Sequence, residues 1–495
     1  MHQPDSSEPD SSEPDETMSD PHPSVDGTPD VAPEAAATDE ADSGEADSGD
    51  AGSEDLASED VVAQEPPKVP LLELRDGLPH VVDSDPGLQD AIVAVERGTG
   101  PIAIDAERAS GFRYSARAYL IQLRREGSGT WLIDPIAFED LRALNEALGD
   151  AEWILHAASQ DLACLTELGL HPTTLFDTEL AGRLLGYPRV GLATLVETIV
   201  GRRLRKEHSA ADWSTRPLPE PWLDYAALDV EVLLELREAL AAKLVEAGKD
   251  EWARQEFAHL VSATPAGPRQ DPWRRTSGMH RARGRRSLAA VRALWETRDA
   301  IASERDVSPG RIIPDSAIVE AANALPRDKA SLLGLKGFRG RGAQRYVTQW
   351  LEALRNARTL TDDELPPLAA RYDGPPPPRS WMDKDPAAAA RLSAAREDLG
   401  GLAKDLNLPV ENLLTPEFVR RLTWDPPLWE SESDLIEQVA DRLRELGARE
   451  WQVELTREPL AQAIAKAAAQ AAAAAAAAAA AQAAAGTAAE SPAAD

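Results

Sequence analysis

Four acidic residues lie in three short segments, Asp105-x-Glu107, Asp161 and Tyr225-x-x-x-Asp229, the last with a phenol one helical turn ahead of its acid. Hard divalent cations such as Mg²⁺ and Mn²⁺ take oxygen ligands and rely on a few carboxylates, water and substrate phosphate. Four carboxylates from three elements suit a pair of ions. Two ions about 3.5–4 Å apart would clamp a phosphodiester, one activating the attacking water and the other stabilising the departing oxygen. A tyrosine with an ordinary pKa of about 10 is a poor base at neutral pH, so Tyr225 is predicted to aim the water by hydrogen bonding while the metal activates it.

The elements that must position these groups are readable nearby. Pro101-Ile-Ala-Ile-Asp105-Ala-Glu107 is an apolar run leading into two carboxylates at spacing two, which share one face of a strand. Trp153-Ile-Leu-His-Ala-Ala-Ser-Gln-Asp161-Leu162 reads as a short apolar strand, then small residues, then an acid at a strand-to-helix corner. Apolar residues at helical spacing follow Tyr225, so Tyr225 and Asp229 fall on one side of a helix. Each segment alone has a bland reading: a solvated acid pair, a helix N-cap at Asp161, a surface Tyr–Asp pair. Their order together is far more specific.

The three segments resemble the exonuclease motifs of the DEDD superfamily in its tyrosine-containing subgroup, and the chain from about Pro70 to the Ala-rich tail resembles the bacterial ribonuclease D family. Leu175-Phe-Asp177-Thr178-Glu-Leu-Ala-Gly-Arg-Leu-Leu185, Gly191-Leu-Ala-Thr-Leu195 and Asp212-Trp-Ser-Thr-Arg-Pro-Leu218 are similar to family stretches between the second and third motifs. The resemblance implies that Asp105, Glu107, Asp161 and Asp229 ligate two metal ions and that Tyr225 orients the water. Where the family often has Thr between the first two acids and an aromatic after the Glu, this chain has Ala106 and Arg108. Arg108, Arg113, Tyr114 and Arg117 then either grip phosphate and stack on a base or form an ordinary exposed loop.

Length implies about three domains, since 495 residues exceed what one core organises. Cys164 is the sole cysteine, which excludes a disulfide scaffold or thiolate metal site and fits a reducing, cytoplasmic location. No secretory signal pattern opens the sequence, and the poly-Ala run is the nearest approach to a membrane span, so no membrane partner is expected. A net charge of −33 looks wrong for a nucleic-acid enzyme, but residues 1–68 carry about twenty of the acids and almost no bases. Their composition is that of a disordered tail, read as solubilising, with competition against RNA for basic surface as the alternative.

Short apolar runs alternate with helical patterns over 69–265, an α/β domain that the resemblance specifies as a ribonuclease H-like mixed sheet flanked by helices. Seven arginines crowd between Arg269 and Arg286, among them Arg274, Arg275, Arg281, Arg283, Arg285 and Arg286. This stretch, 266–286, reads as a basic linker that contacts RNA, against the plainer reading of a hinge ordered only by the domains. Residues 287–364 are all-helical and resemble the helicase-and-ribonuclease-D C-terminal (HRDC) domain, with a basic corner of Lys336, Arg339, Arg341 and Arg345. A proline-rich linker, 365–385, precedes a second HRDC-like helical domain, 386–464. Ala302-x4-Val307 can be laid on Ala403-x4-Leu408, suggesting duplication. An Ala-rich tail, 465–495, ends the chain.

The spacings themselves support metal-assisted phosphodiester hydrolysis, and the resemblance implies a 3′-to-5′ exoribonuclease that releases nucleoside 5′-monophosphates from the free 3′ ends of tRNA precursors and other small structured RNAs, expected to act as a monomer. The alternatives are a DNA 3′-to-5′ exonuclease, since the same acids serve both polymers, and a catalytically silent RNA-binding protein. His156, at the end of an apolar strand, is expected to make a structural hydrogen bond, and His208 to stay out of the role that Tyr225 occupies.

Overall fold

Apolar alternation drives the first domain. In Thr99–Arg108, Ile102, Ile104 and Ala106 turn to one side of a strand while Asp105 and Glu107 turn to the other. The strand sits inside a sheet, paired with a neighbour along each edge. The computed structural model describes residues 69–489, apart from 206, 207, 209, 264–266, 268 and 370–373. The acidic segment 1–68 and Asp373 of the proline spacer lie outside the described residues.

Six strands, β1 (Val81–Val82), β2 (Thr99–Arg108), β3 (Ala118–Glu126), β4 (Gly129–Ile133), β5 (Trp153–Leu155) and β6 (Leu175–Asp177), form a mixed sheet in the order β1-β4-β3-β2-β5-β6. β2 runs antiparallel to β3 and parallel to β5, with Asp105 opposite Gln122 and Glu107 opposite Leu120. One face packs into the main hydrophobic core. The Glu220–Glu231 helix covers the other face, burying Leu120, Leu132, Trp213, Ala226 and Ala227. The architecture is the α/β sheet flanked by helices, followed by helical domains, that the sequence pattern and resemblance imply.

The two helical modules are built alike and attached differently. In each, a long helix, Arg285–Arg305 or Pro386–Asp405, is followed by a residue in the left-handed conformation, Asp306 or Asn407, both with φ 47°. These corners both meet the exonuclease-like domain. Asp306 accepts from the Ser115 N–H at 2.9 Å, and Asn407 donates to the Leu185 carbonyl at 3.1 Å. Beyond that corner the first module keeps its own core around Trp350, Phe338 and Leu294. The second shares the core of the sheet domain: Trp451 stacks on Trp252 at 4.9 Å, and its indole N–H donates to Glu256 at 2.9 Å.

Both linkers read from the sequence are shorter in the structure. Trp273 is buried in the first module's core, and the chain from Pro272 to Arg281 is largely two short helical turns. Leu365 belongs to that same core, and Trp381, packed against Trp424 at 4.9 Å, belongs to the main one. Gly, Pro and Arg content had suggested loops, yet one tryptophan in each segment is enough to anchor it. Among the described helices, Glu450–Gln482 is long and apolar enough, by length and composition, to cross a membrane; its first part is buried through Trp451, Val453, Leu460, Ala461 and Ile464.

Truncating a buried tryptophan costs about 3–5 kcal/mol. Trp273→Ala is accordingly expected to strip hydrogen-exchange protection from the Arg285–Arg305 helix; unchanged protection would show that the 266–286 segment is a free linker after all.

Candidate active site

Three elements bring the predicted acids together. Asp105 and Glu107 project from β2, half-buried; Asp229 projects from the Glu220–Glu231 helix and is 7% exposed. Oxygen atoms of these three carboxylates lie within 4.8 Å of one another. Asp161, 5% exposed, stands at the corner after β5, and the Arg108 guanidinium lies 3.3 Å from its carboxylate. Its side chain does not cap the following helix, so the bland N-cap reading is not what the structure contains. Tyr225 lies one turn before Asp229 and hydrogen-bonds to its carboxylate.

Crowding like charges in a partly dry pocket makes ionisation costly. Burial, then Asp105, Asp229 and Asp161, pushes the Glu107 carboxyl up to about 10. Burial and Asp105 push Asp161 up to about 8, with Arg108 opposing. Asp105 and Asp229 also rise, mainly through burial; the Tyr225 hydrogen bond opposes the rise at Asp229. The same burial and neighbouring acids raise the Tyr225 phenol, which strengthens its case as a hydrogen-bond donor and weakens it as a base. An all-oxygen set whose members repel one another fits hard divalent cations, which would be held by Asp105, Glu107, Asp161 and Asp229.

Several supporting residues were not singled out by their chemistry in the sequence. Asp177, at the end of β6, accepts from the N–H groups of Ala157 (3.1 Å), Ala158 (2.8 Å), Glu179 (2.9 Å) and Leu180 (3.1 Å). It thereby ties down the corner that carries Asp161. Arg216 grips Asp134 with two guanidinium nitrogens, at 2.6 and 2.8 Å, and donates to the Tyr119 carbonyl, fixing the segment ahead of the Glu220–Glu231 helix. At that helix's far end Glu231 pairs with buried Arg124 at 2.8 Å. His156 pairs through Nδ1 with the Thr178 hydroxyl at 2.9 Å, and burial pushes its pKa down to about 4, a structural role. His208 packs edge-on to Tyr225 with ring centroids 6.3 Å apart.

The basic residues read as RNA contacts divide into two groups. Arg286 donates to the carbonyls of Ala357 and Leu360, closing off the first module's last helix, Val347–Thr359, and Arg285 to those of Asp362, Leu365 and Pro366 in the segment that follows it. Arg274 lies over Trp273 and donates to Asp271 and Pro367, Arg113 donates to Ser214, and Arg108 serves Asp161. Guanidinium donors meet backbone carbonyls as readily as phosphates, and here the carbonyls are at hand. Tyr114 donates to Asp299 of the first module, and Arg117 lies over Tyr119. By contrast, Arg275, Arg281, Arg283 and Lys336 are exposed, as is Arg339, although its guanidinium also donates to the Gly334 carbonyl at 2.9 Å.

Comparison with known proteins points one way. Residues 79–245 match a family described as 3′-5′ exonuclease, 287–354 the HRDC domain, and 374–464 a 3′ to 5′ exonuclease C-terminal domain. Ribonuclease D of Gluconacetobacter diazotrophicus is 32% identical over 321 residues, 61% of this chain and 80% of that protein. The crystal structure of a protein from Bifidobacterium adolescentis is 38% identical with a TM-score of 0.73, covering 80% of this chain and 100% of the other. Escherichia coli RNase D, described as an exoribonuclease involved in structured RNA processing, is 25% identical with a TM-score of 0.56, covering 74% and 98%.

Raised carboxyl pKa values give a signed expectation. Glu107 and Asp161 bind protons more tightly folded than unfolded, so without metal their contribution to stability is full below about pH 4. It is lost progressively as pH rises through about 8 and about 10. Divalent ions need the ionised form and offset that loss. The melting-temperature gain on adding Mn²⁺ to the EDTA-treated protein should therefore grow between about pH 6 and about pH 8.5; a gain that shrinks over that interval would contradict this electrostatic account.

Proposed function

Because the chain belongs to the ribonuclease D family of 3′-to-5′ exoribonucleases, we propose that it trims the free 3′ ends of tRNA precursors and other small structured RNAs, releasing nucleoside 5′-monophosphates. The observation that carries this reading is the convergence of Asp105, Glu107 and Asp229 within 4.8 Å, with Asp161, paired with Arg108, near enough to interact electrostatically with Glu107 and Asp105. These four acids would hold two divalent ions, Mg²⁺ or Mn²⁺. Bound there, the ions supply Lewis acidity toward the scissile phosphate and its attacking water.

The protein's own groups supply the rest. Tyr225, one helical turn from Asp229, orients the attacking water by hydrogen bonding, its phenol oxygen accepting from the water while its O–H is directed to the Asp229 carboxylate. Arg108, 3.3 Å from Asp161, opposes the rise that burial and Asp105 impose on its carboxyl and so favours the ionised form that a cation needs. Exposed Arg275, Arg281, Arg283, Lys336 and Arg339 serve as phosphate contacts for the RNA body, each adding to the salt dependence of binding. The protein acts as a monomer in the cytoplasm. The choice of structured RNA as substrate is supported by the likeness to Escherichia coli RNase D, an exoribonuclease involved in structured RNA processing, which covers 74% of this chain.

The test is degradation of a 5′-labelled, 3′-extended tRNA with Mg²⁺, Mn²⁺ or EDTA, beside single-stranded DNA of equal length. A metal-dependent ladder on RNA that stops near the mature end is expected, and equal or faster DNA cutting would overturn the substrate reading. Asp105→Asn should lower turnover at least about a hundred- to a thousandfold, the scale of losing one preorganised charge-stabilising group, with folding and RNA binding retained. Unchanged turnover would overturn the site.

A further inference from the structure

Beneath the acids lies an amide that the site described so far does not use. Gln122 sits mid-way along β3, directly opposite Asp105 in β2 and next to Leu132 in β4. Residues paired across antiparallel strands stand on one face with Cβ atoms about 4.5–5.5 Å apart. Gln122 therefore shares the face that presents Asp105 and Glu107, under the helix that carries Tyr225 and Asp229. It is fully buried, and neither its Oε1 nor its Nε2 has a hydrogen-bond partner among the described residues.

A buried amide with both ends unpaired is expensive, and packing gives no reason for it. Leu120 and Leu132 flank the position, so a leucine or methionine would fill the same space without a polar atom to bury. Polar neighbours on this face explain the choice better. Two residues along β3 is Arg124, whose Nε is likewise buried without a partner, while its Nη1 is fixed by Glu231 at 2.8 Å and Thr130 at 2.6 Å. On the other side, across the strand pair, is the Asp105 carboxylate. An amide has one accepting and one donating end, matching a guanidinium N–H on one side and a carboxylate on the other.

We propose that Gln122 is a positioning residue of the metal site: its Nε2 donates, directly or through one buried water, to the Asp105 carboxylate when Asp105 ligates a cation, and its Oε1 accepts from Arg124. Partners of this kind orient a ligating carboxylate, and their loss typically weakens metal binding about 10–100-fold. This rests on the reading of Asp105 as a metal ligand. Arg124, held by Glu231 on the same helix as Asp229, then connects two sides of the site through one hydrogen-bonded line.

The experiment is calorimetric titration of Mn²⁺ into the full-length protein without RNA, for the natural chain, Gln122→Met and Asp105→Asn. Gln122→Met, which keeps volume and removes the amide, is expected to bind Mn²⁺ about tenfold more weakly and to regain turnover when Mn²⁺ is raised. Weakening by about threefold or more supports the inference; binding within about threefold of the natural chain overturns it, whatever the melting temperature does, because a packing role moves stability alone. Should Gln122→Met not fold, Gln122→Asn, which retracts the amide by one methylene, carries the same threshold. If the natural chain binds no Mn²⁺, or Asp105→Asn binds it equally well, the metal-site reading itself fails and this inference falls with it.

Discussion

Three carboxylates, Asp105, Glu107 and Asp229, held within 4.8 Å of one another, with Asp161 near enough to add its charge, repel one another, and the rest of the structure is organised around imposing that arrangement. Left to relax, Asp105, Glu107, Asp161 and Asp229 would separate or stay protonated, as the raised carboxyl pKa values of Glu107 and Asp161 indicate. The fold prevents separation by placing each acid on a rigid element: two on the central strand of the sheet, one at a corner, one on a helix packed across that sheet. Repulsion of this kind favours cation binding, and in the proposed mechanism bound cations would supply the hydrolytic chemistry of this ribonuclease D family chain.

Support for this arrangement comes from beneath and from the side. Asp177 takes four backbone N–H groups to hold the Asp161 corner, Arg216 locks the chain that leads into the Tyr225–Asp229 helix, and the Arg124–Glu231 pair pins that helix two residues beyond Asp229. The first helical module reaches the loop between β2 and β3, immediately after Arg108. Phe112 there accepts from the Ser308 N–H at 2.9 Å and lies under the Arg311 guanidinium, 4.1 Å from its centroid. The helical modules thus meet the exonuclease domain through the same type of corner, Asp306 in one and Asn407 in the other.

Much of the site was legible because its signals are local. Alternation in Ile104-Asp105-Ala106-Glu107 sets a strand face, and the four-residue step from Tyr225 to Asp229 sets a helix face; both depend only on period. Gln122, Arg124 and Arg216 were not legible, because their meaning lies in cross-strand register and in contacts between residues as far apart as Asp134 and Arg216. The arginines near Arg285 misled for a different reason. Composition reports charge, while the structure spends the Arg285 and Arg286 guanidinium groups on carbonyls near the end of a helix, a local demand for donors that no charge count reveals. Trp273 and Trp381 similarly turned two apparent linkers into parts of cores.

The central claim is that repulsion among these acids is relieved by divalent cations, and it makes a direct thermodynamic demand. Calorimetry of Mn²⁺ binding in buffers of different ionisation enthalpy, at about pH 7, counts the protons released as the ions enter. With Glu107 at about 10 and Asp161 at about 8 before binding, the account requires release of at least about one proton per chain. Binding without proton release, or no binding, would contradict it.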